Sequence, residues 1–218
     1  MIKGLIFDMD GLLIDTERLS FEALVRDCKE RGFELTMEQF LSIRSLSIPK
    51  CEEKFKGYFG EDFDFKDSFE KHFLYMNEHM DKYGVPMKKG ADNLLEYAQS
   101  KGLRIALATS TPLPIAEGYL RSLGLWDYFQ KVQSAADIKN GKPAPDVYLA
   151  AAKLLELEPS QCMAFEDSPN GVRSASSAGC VTVMVPDLSG PDGELEALIY
   201  ACAQDLDDAI NIIENYKE

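Results

Sequence analysis

The sequence predicts an α/β fold in which helices flank a parallel sheet and an all-helical segment is inserted after the first strand. Short apolar runs alternate with stretches of helical periodicity from residue 91 onward, whereas residues 16–83 show helical periodicity alone. Strands that alternate with helices form parallel sheets through right-handed crossovers. We therefore expect an α/β core at residues 1–14 and 86–218, and a helical cap domain at residues 15–85.

The first predicted strand is the apolar run at residues 2–7, which leads directly into Asp8, Asp10 and Gly11. A short continuous apolar run is typical of a strand that is buried on both faces. Ligands bind beyond the carboxyl ends of strands in open α/β sheets, so two carboxylates at this point predict a catalytic centre. Taken alone, the D-x-D-G pattern is equally typical of a calcium-type loop or a solvated turn.

Four helices are predicted in the insert. The first spans residues 16–31, where Leu19, Ala23 and Cys28 recur at helical spacing. The region up to residue 83 is also rich in aromatic side chains, and because a helical unit needs its own core, we expect these rings to fill it. The other three helices are predicted at residues 37–43, 49–59 and 65–83.

Beyond residue 84 the pattern alternates between strand and helix, which indicates the rest of the sheet. Residues 190–193 carry glycine, proline and aspartate and are predicted to form an exposed loop. Strands are predicted at residues 103–109, 132–134, 162–165 and 181–185, and helices at residues 91–100, 114–123, 145–155, 170–178 and 206–214.

The composition indicates a globular protein that does not bind nucleic acids or anionic membranes. The chain has 218 residues, 45% of them hydrophobic, which is enough for a full core. The 37 acidic residues outnumber the 23 basic ones and give a net charge of −14, which repels nucleic acids and anionic membranes. A small anionic substrate stays compatible with this charge, because a metal ion and a few lysines can reverse the potential inside a cleft. The sequence does not reveal the oligomeric state.

Cysteine usage and the N-terminus predict a cytoplasmic protein. The five cysteines are scattered and form no C-x-x-C pair, so we expect reduced thiols and no zinc site. Asp8 comes too early for the apolar stretch of a signal peptide, and no long apolar segment follows elsewhere.

Three further segments place polar groups at strand ends or helix starts. Thr109 and Ser110 follow the second strand of the core and could cradle a phosphate or simply cap a helix. Lys142 stands between glycine and proline, which is a rigid setting for an inward ammonium but also a common surface turn. Glu166 and Asp167 form a second acidic pair at the carboxyl end of a strand. Taken alone, this pair could also be a helix cap, because the helix dipole favours acids near a helix N-terminus.

The order of these motifs resembles that of the haloacid dehalogenase superfamily, specifically its β-phosphoglucomutase-like phosphatases with a helical, C1-type cap. The resemblance covers essentially the whole chain. It implies a Rossmann-like core and a Mg²⁺-dependent phosphatase that acts on a small soluble phosphate monoester, such as a sugar phosphate, through an aspartyl-phosphate intermediate. The four motifs are residues 8–16, Thr109, Lys142 and residues 166–171.

The resemblance also implies a role for each motif residue. Asp8 is the expected nucleophile and Asp10 the general acid and base. Thr109 and Lys142 are expected to bind the transferred phosphoryl group. The expected Mg²⁺ ligands are Asp8, the backbone carbonyl of Asp10, Glu166 and Asp167. The expected substrate-binding residues are Gly11, Thr16, Ser110 and, in the cap, Arg44 and Lys50, with Lys54, Ser45 and Ser47 as further candidates.

Other functions stay open at this point. A β-phosphoglucomutase-type phosphohexomutase is the alternative enzyme, although Ser20 stands where these mutases carry a histidine and Leu46 where they carry an arginine. A phosphonate hydrolase would need a cap lysine such as Lys50 or Lys54 for a Schiff base. A catalytically inactive binding protein on the same scaffold would have lost at least one motif residue, and all of them are present. No role is assigned to His72 or His79.

Overall fold

A computed structural model describes residues 1–44, 46 and 48–217, and within them a six-stranded parallel sheet forms the centre of the core. The strand order is β3-β2-β1-β4-β5-β6, so the first strand lies in the middle of the sheet. The five strands predicted from the sequence are confirmed, and a sixth was missed because it has only two residues. The strands are β1 (Gly4–Phe7), β2 (Arg104–Thr109), β3 (Lys131–Ser134), β4 (Cys162–Glu166), β5 (Val181–Met184) and β6 (Ala201–Cys202).

Helices cover both faces of the sheet. The helices of the core are α5 (Ala91–Ser100), α6 (Leu113–Ser122), α7 (Asp146–Leu154), α8 (Pro169–Ser177), α9 (Gly193–Glu196) and α10 (Leu206–Glu214). Leu5 and Phe7 point to the face covered by α5, α6 and α10, and Ile6 points to the face covered by α7 and α8. Burial on both faces explains why the central strands are continuous apolar runs. The loop predicted at residues 190–193 ends one residue earlier, because the Asp192 side chain caps α9 by accepting from the backbone N–H groups of Glu194 and Leu195.

The described residues of the inserted segment fold into four helices around an aromatic core, as the sequence predicts. These helices are α1 (Thr16–Glu30), α2 (Met37–Ile43), α3 (Ile48–Phe59) and α4 (Phe65–Tyr83). Local caps set two of the boundaries: Thr36 and Gln39 form a capping box at the start of α2, and Asp64 caps α4. Phe55 and Phe63 are buried at the centre of this core, and their ring centroids are 5.5 Å apart.

The two chain segments that connect the insert to the core run side by side. The backbone N–H of Asp15 donates to the Pro86 carbonyl at 2.8 Å, and that of Lys88 donates to the Leu13 carbonyl at 2.9 Å. A buried carboxylate of the core, Asp187, contacts the second of these segments and the first turn of α1, because its Oδ1 lies 2.8 Å from Lys88 Nζ and 3.6 Å from Arg18 Nη2. This geometry is compatible with the boundaries expected at residues 14–15 and 85–86, which stay a prediction.

The five cysteines are free thiols, as the sequence predicts, and three of them are buried. In the part of the chain that the structure describes, no helix is both long enough and apolar enough to cross a membrane.

His72 lies inside the helical insert. It is buried on α4, and its Nε2 lies 2.8 Å from the Ser20 hydroxyl on α1. Burial lowers the pKa of His72 to about 4, although the Asp27 charge acts in the opposite direction. The folded protein therefore keeps this imidazole neutral at pH values where an unfolded chain protonates it.

We expect His72 to make the folded protein less stable as the pH falls. Between pH 6.5 and about 4 the unfolded chain binds a proton at His72 that the folded chain does not, so this group removes up to roughly 3 kcal/mol from the free energy of unfolding. Urea denaturation across this range should show a shallower pH dependence for His72→Gln than for the wild type. His79→Gln serves as the control and should keep the wild-type slope. Parallel curves for the wild type and His72→Gln would contradict the assignment.

Candidate active site

The order of the strands brings the predicted motifs to one edge of the sheet. β1 lies between β2 and β4, and Phe7 pairs with Leu107 on one side and with Phe165 on the other. Asp8 follows β1 directly, and its backbone N–H donates to the Phe165 carbonyl at 3.1 Å. The carboxyl ends of three neighbouring strands therefore carry Asp8, Thr109 and the acidic pair Glu166 and Asp167.

Lys142 joins the acids of β1 and β4. Its Nζ donates to Asp8 Oδ1 at 2.5 Å, to Glu166 Oε1 at 2.6 Å and to the Ala108 carbonyl at 3.1 Å. The Tyr148 hydroxyl, on α7, donates to the same Glu166 oxygen at 2.6 Å. The surface turn considered from the sequence is therefore wrong for Lys142, whose side chain is only 2% exposed.

The surroundings of Lys142 and Asp8 shift the pKa of each group. Burial by itself would lower the pKa of Lys142, but the charges of Asp8 and Glu166 outweigh burial and raise it, so the ammonium stays charged. Burial raises the pKa of Asp8 to about 8, against the lowering effect of Lys142 and with a further increase from Glu166 and Asp10. Burial and the neighbouring acids together thus outweigh the effect of the Lys142 ammonium on the pKa of Asp8.

Asp10 is held by two hydroxyl groups. Thr16 Oγ1, at the start of α1, donates to Asp10 Oδ1 at 2.6 Å, and Thr111 Oγ1 donates to Asp10 Oδ2 at 2.6 Å. Thr111 is fixed in turn, because its backbone N–H donates to Thr109 Oγ1 at 3.0 Å. Both carboxylate oxygens are therefore oriented, and Asp10 is tied to the loop after β2. Thr111 was missed as a site residue, although its place in the hydroxyl cluster with Thr109 is the signal that could have found it.

Close backbone approaches shape the acidic pair on β4. A Cβ at Gly171, in the first turn of α8, would collide with the carboxylate of Glu166. A Cβ at Gly11 would likewise collide with Asp167 Oδ2, and Gly11 has a φ of +85° that favours glycine. Ser168 caps α8 by accepting from the Gly171 N–H at 3.2 Å. These two glycines allow the buried carboxylates to lie directly against the backbone.

The buried acids fit a divalent metal ion. Asp8, Glu166 and Asp167 each offer a carboxylate oxygen, and these atoms lie within 4.8 Å of one another. Burial raises the pKa of Asp167 well above its usual value, even though the charge of Arg44 lowers it. Further positive charge would therefore stabilise the ionised carboxylates. The donor atoms are all oxygen, which is the ligand type that Mg²⁺ prefers.

Arg44 reaches this acidic cluster from the helical insert. Its Nη2 donates to Asp167 Oδ2, and its Nε lies 3.1 Å from Glu17 Oε2. Burial raises the pKa of Glu17 to about 7, although Arg44 lowers it. Glu17 is a second residue that the sequence reasoning missed, since nothing in its local pattern separates it from an ordinary acid in the first turn of a helix.

The other substrate-binding candidates are placed differently. Gly11 and Thr16 are buried at the cluster, whereas Ser110 is exposed beyond β2. Lys50 is exposed in the first turn of α3, and the hydrogen bonds and ion pairs of the described residues do not join it to the acidic cluster. Ser45 and Ser47 lie outside the described residues.

Comparison with known proteins shows similarity over most of the chain. The family model for haloacid dehalogenase-like hydrolases matches residues 5–185. The putative phosphatase YhcW of Bacillus subtilis (strain 168) is 35% identical over 189 residues, covering 86% of this chain and 84% of that protein. The phosphorylated carbohydrates phosphatase of Thermotoga maritima is 37% identical over 181 residues, covering 82% of each. The crystal structure of β-phosphoglucomutase from Clostridium difficile has a TM-score of 0.81 at 23% identity, covers 98% of this chain and 96% of its own, and shows the shared fold.

We expect Gly171→Ala to destabilise the protein although alanine favours helices. The added Cβ would collide with the Glu166 carboxylate, and relieving such a clash typically costs about 1–3 kcal/mol. Gly118→Ala in α6 is the matched control, because no atom lies within 4 Å of its ideal Cβ, and this change should raise stability by up to about 1 kcal/mol. Thermal unfolding of both variants measures the difference. Equal stabilisation by the two substitutions would show that Glu166 does not press on α8.

Proposed function

The chain belongs to the haloacid dehalogenase-like hydrolase family and is a phosphatase, and we propose that it hydrolyses a small phosphate monoester, such as a sugar phosphate, through an aspartyl-phosphate on Asp8 with Mg²⁺ as its cofactor. The observation that carries the proposal is the placement of Asp8 at the end of the central strand, bound by Lys142 and two residues from an oriented Asp10. The name of the Thermotoga relative supports a phosphorylated carbohydrate as the substrate class. The free thiols of the chain are compatible with activity in the cytoplasm.

Asp8 supplies the nucleophile in the first half of the proposed reaction. A carboxylate oxygen of Asp8 attacks phosphorus, a bond forms between them, and the bond from phosphorus to the ester oxygen breaks. Lys142 holds Asp8 Oδ1 at 2.5 Å, which fixes the orientation of the carboxylate and favours its ionised form against the effect of burial. In this proposal the Lys142 ammonium and the hydroxyl of Thr109 bind the phosphoryl oxygens as these develop charge.

Asp10 moves the protons in both halves of the reaction. It gives a proton to the departing ester oxygen, and it later takes a proton from the water that attacks the aspartyl-phosphate, which returns Asp8 and releases phosphate. The hydroxyls of Thr16 and Thr111 hold the Asp10 carboxyl on both sides. They therefore limit its rotation while its charge changes twice in each cycle.

The acids at the strand ends would hold the proposed metal ion. Asp8, Glu166 and Asp167 supply carboxylate oxygens, and Asp10 would contribute its backbone carbonyl. When bound, Mg²⁺ supplies positive charge that offsets the charge of the phosphoryl group and of the acids around it. Glu166 is also the anchor of Lys142 and Tyr148, so it keeps the lysine directed at Asp8.

The helical insert is the proposed cap, and we assign the choice of substrate to it. Arg44 from the insert lies against the acids of the core, and Leu188 from the core packs on the aromatic cluster of the insert. A cap in this position excludes water from the aspartyl-phosphate and contacts the part of the substrate beyond the phosphate. Arg44 thus brings a cap side chain into contact with a proposed metal ligand.

We expect Mg²⁺-dependent release of phosphate from a panel of sugar, polyol and nucleotide monophosphates. EDTA should abolish the activity, and Asp8→Asn should lower kcat by at least about 10³-fold because the nucleophile is lost. Asp127→Asn is a matched control, because this aspartate side chain is 90% exposed. The measurement is inorganic phosphate released over time, with the products of β-glucose 1-phosphate analysed in parallel.

Two results would contradict this proposal. Formation of glucose 6-phosphate from β-glucose 1-phosphate and a bisphosphate primer, without release of phosphate, would establish the phosphohexomutase alternative. Absence of activity across the panel, with Mg²⁺ bound, would favour a non-catalytic binding protein.

We expect Asp10→Asn to separate the two halves of the reaction. With p-nitrophenyl phosphate the leaving group needs no proton, so the variant should release a burst of p-nitrophenol equal to the enzyme concentration and then turn over slowly. With an alkyl or sugar phosphate the first half should also slow, by about 10²- to 10⁴-fold. Rapid-quench measurement of both esters tests this. Equal losses on the two esters, with no burst, would exclude Asp10 as the acid.

A further inference from the structure

Arg44 is buried at the boundary between the helical insert and the core, and it is tied to the core at two points. Its side chain is 4% exposed, and its Nη2 donates to Asp167 Oδ2. Its backbone carbonyl accepts from the Asn170 side chain at 3.3 Å. Both contacts join the residue after α2 to the stretch from the end of β4 to the first turn of α8, which carries Glu166 and Asp167 of the proposed metal site.

The guanidinium has more donors than the described residues satisfy. Nη1 of Arg44 is buried without a hydrogen-bond partner among them, and Nε faces Glu17 as an ion pair rather than in good hydrogen-bond geometry. Leaving a buried donor unpaired costs free energy, so hydrogen bonding alone does not explain this position. The charge explains it better, because Asp167 is buried and Glu17 is half-buried beside it, so both carboxylates need a cation nearby.

The same carboxylate is part of the proposed metal site. Asp167 offers an oxygen to the cluster with Asp8 and Glu166, and its Oδ2 accepts from Arg44. A divalent cation and a guanidinium a few ångströms apart repel each other strongly in a buried site. The two cations therefore compete for the negative charge of Asp167.

We propose that Arg44 is an internal counter-ion that a divalent metal ion displaces from Asp167, so that metal binding breaks the tie between cap and core at this point. The inference rests on the proposed metal-dependent function. In the metal-free protein Arg44 neutralises Asp167 and Glu17 and holds the end of α2 against the core. Metal binding takes over the neutralisation of Asp167, and the guanidinium is released into the cleft.

The experiment compares Arg44→Met with the wild type by calorimetric titration with Mg²⁺. Removing the competing cation should tighten Mg²⁺ binding on the order of tenfold, which is a typical coupling between two sites. Arg31→Met is the matched control: Arg31 is also a cap arginine bound to a buried carboxylate, with Nε 2.8 Å from Asp27 Oδ2. This control should lower the stability of the protein and leave the Mg²⁺ affinity unchanged.

Hydrogen exchange distinguishes displacement of Arg44 by the metal ion from a general effect of the Arg44 charge on Mg²⁺ affinity. If the metal ion displaces Arg44, adding Mg²⁺ to the wild type should speed amide exchange in α2, whereas in Arg44→Met exchange in α2 should not respond to the metal. If the contact were a fixed cross-link, Mg²⁺ would slow exchange in α2 or leave it unchanged. Arg44→Gln, which keeps amide donors for Glu17 and Asp167, replaces Arg44→Met if the latter does not fold.

The outcomes distinguish this inference from the function on which it rests. Unchanged Mg²⁺ affinity in both Arg44 variants, or slower exchange of α2 in the metal-loaded wild type, would overturn the displacement and leave the phosphatase proposal intact. Absence of Mg²⁺ binding to the wild type would overturn both proposals.

Discussion

The bond from the Lys142 ammonium to Asp8 and Glu166 is the interaction on which the site depends. The sheet order places the ends of β1 and β4 side by side, so carboxylates that follow these strands are close together and away from water. Buried like charges cannot stay ionised without cations next to them. Lys142 comes from a loop far along the chain and provides this charge at 2.5 and 2.6 Å. The proposed chemistry needs an ionised Asp8, and this contact favours the ionised form against the effect of burial.

Small residues in the sheet leave space for the side chain that supports the contact between Lys142 and Glu166. Ala106, Ala108 and Ala164 lie on the face of the sheet that α7 covers, and their short side chains leave room for Tyr148 to be fully buried there. The Tyr148 hydroxyl and the Lys142 ammonium then both donate to Glu166 Oε1. Packing in the core thus fixes the carboxylate that positions the lysine.

Much of the fold and of the core motifs could be predicted from the sequence, because each depends on local pattern. β1, β2 and β4 are continuous apolar runs, and Asp8, Asp10, Glu166 and Asp167 directly follow them in the chain. β6 and α9 could not be predicted, because a strand of two residues and a helix of four are too short to show a periodic pattern of apolar side chains. Arg44 illustrates a different limit: its partner Asp167 lies 123 positions away, and only the packing of the insert on the core brings the two together.

The pairing of the two connecting segments affects how this architecture can change in evolution. Leu13 and Lys88 are joined by a backbone hydrogen bond, so the helical insert leaves the core and returns to it at a single point. A segment attached in this way can be lengthened, exchanged or lost while the strand order and the buried acids stay as they are. The same α/β core can therefore acquire a new specificity through recombination at one surface position, without any change in the buried acids at the ends of its strands.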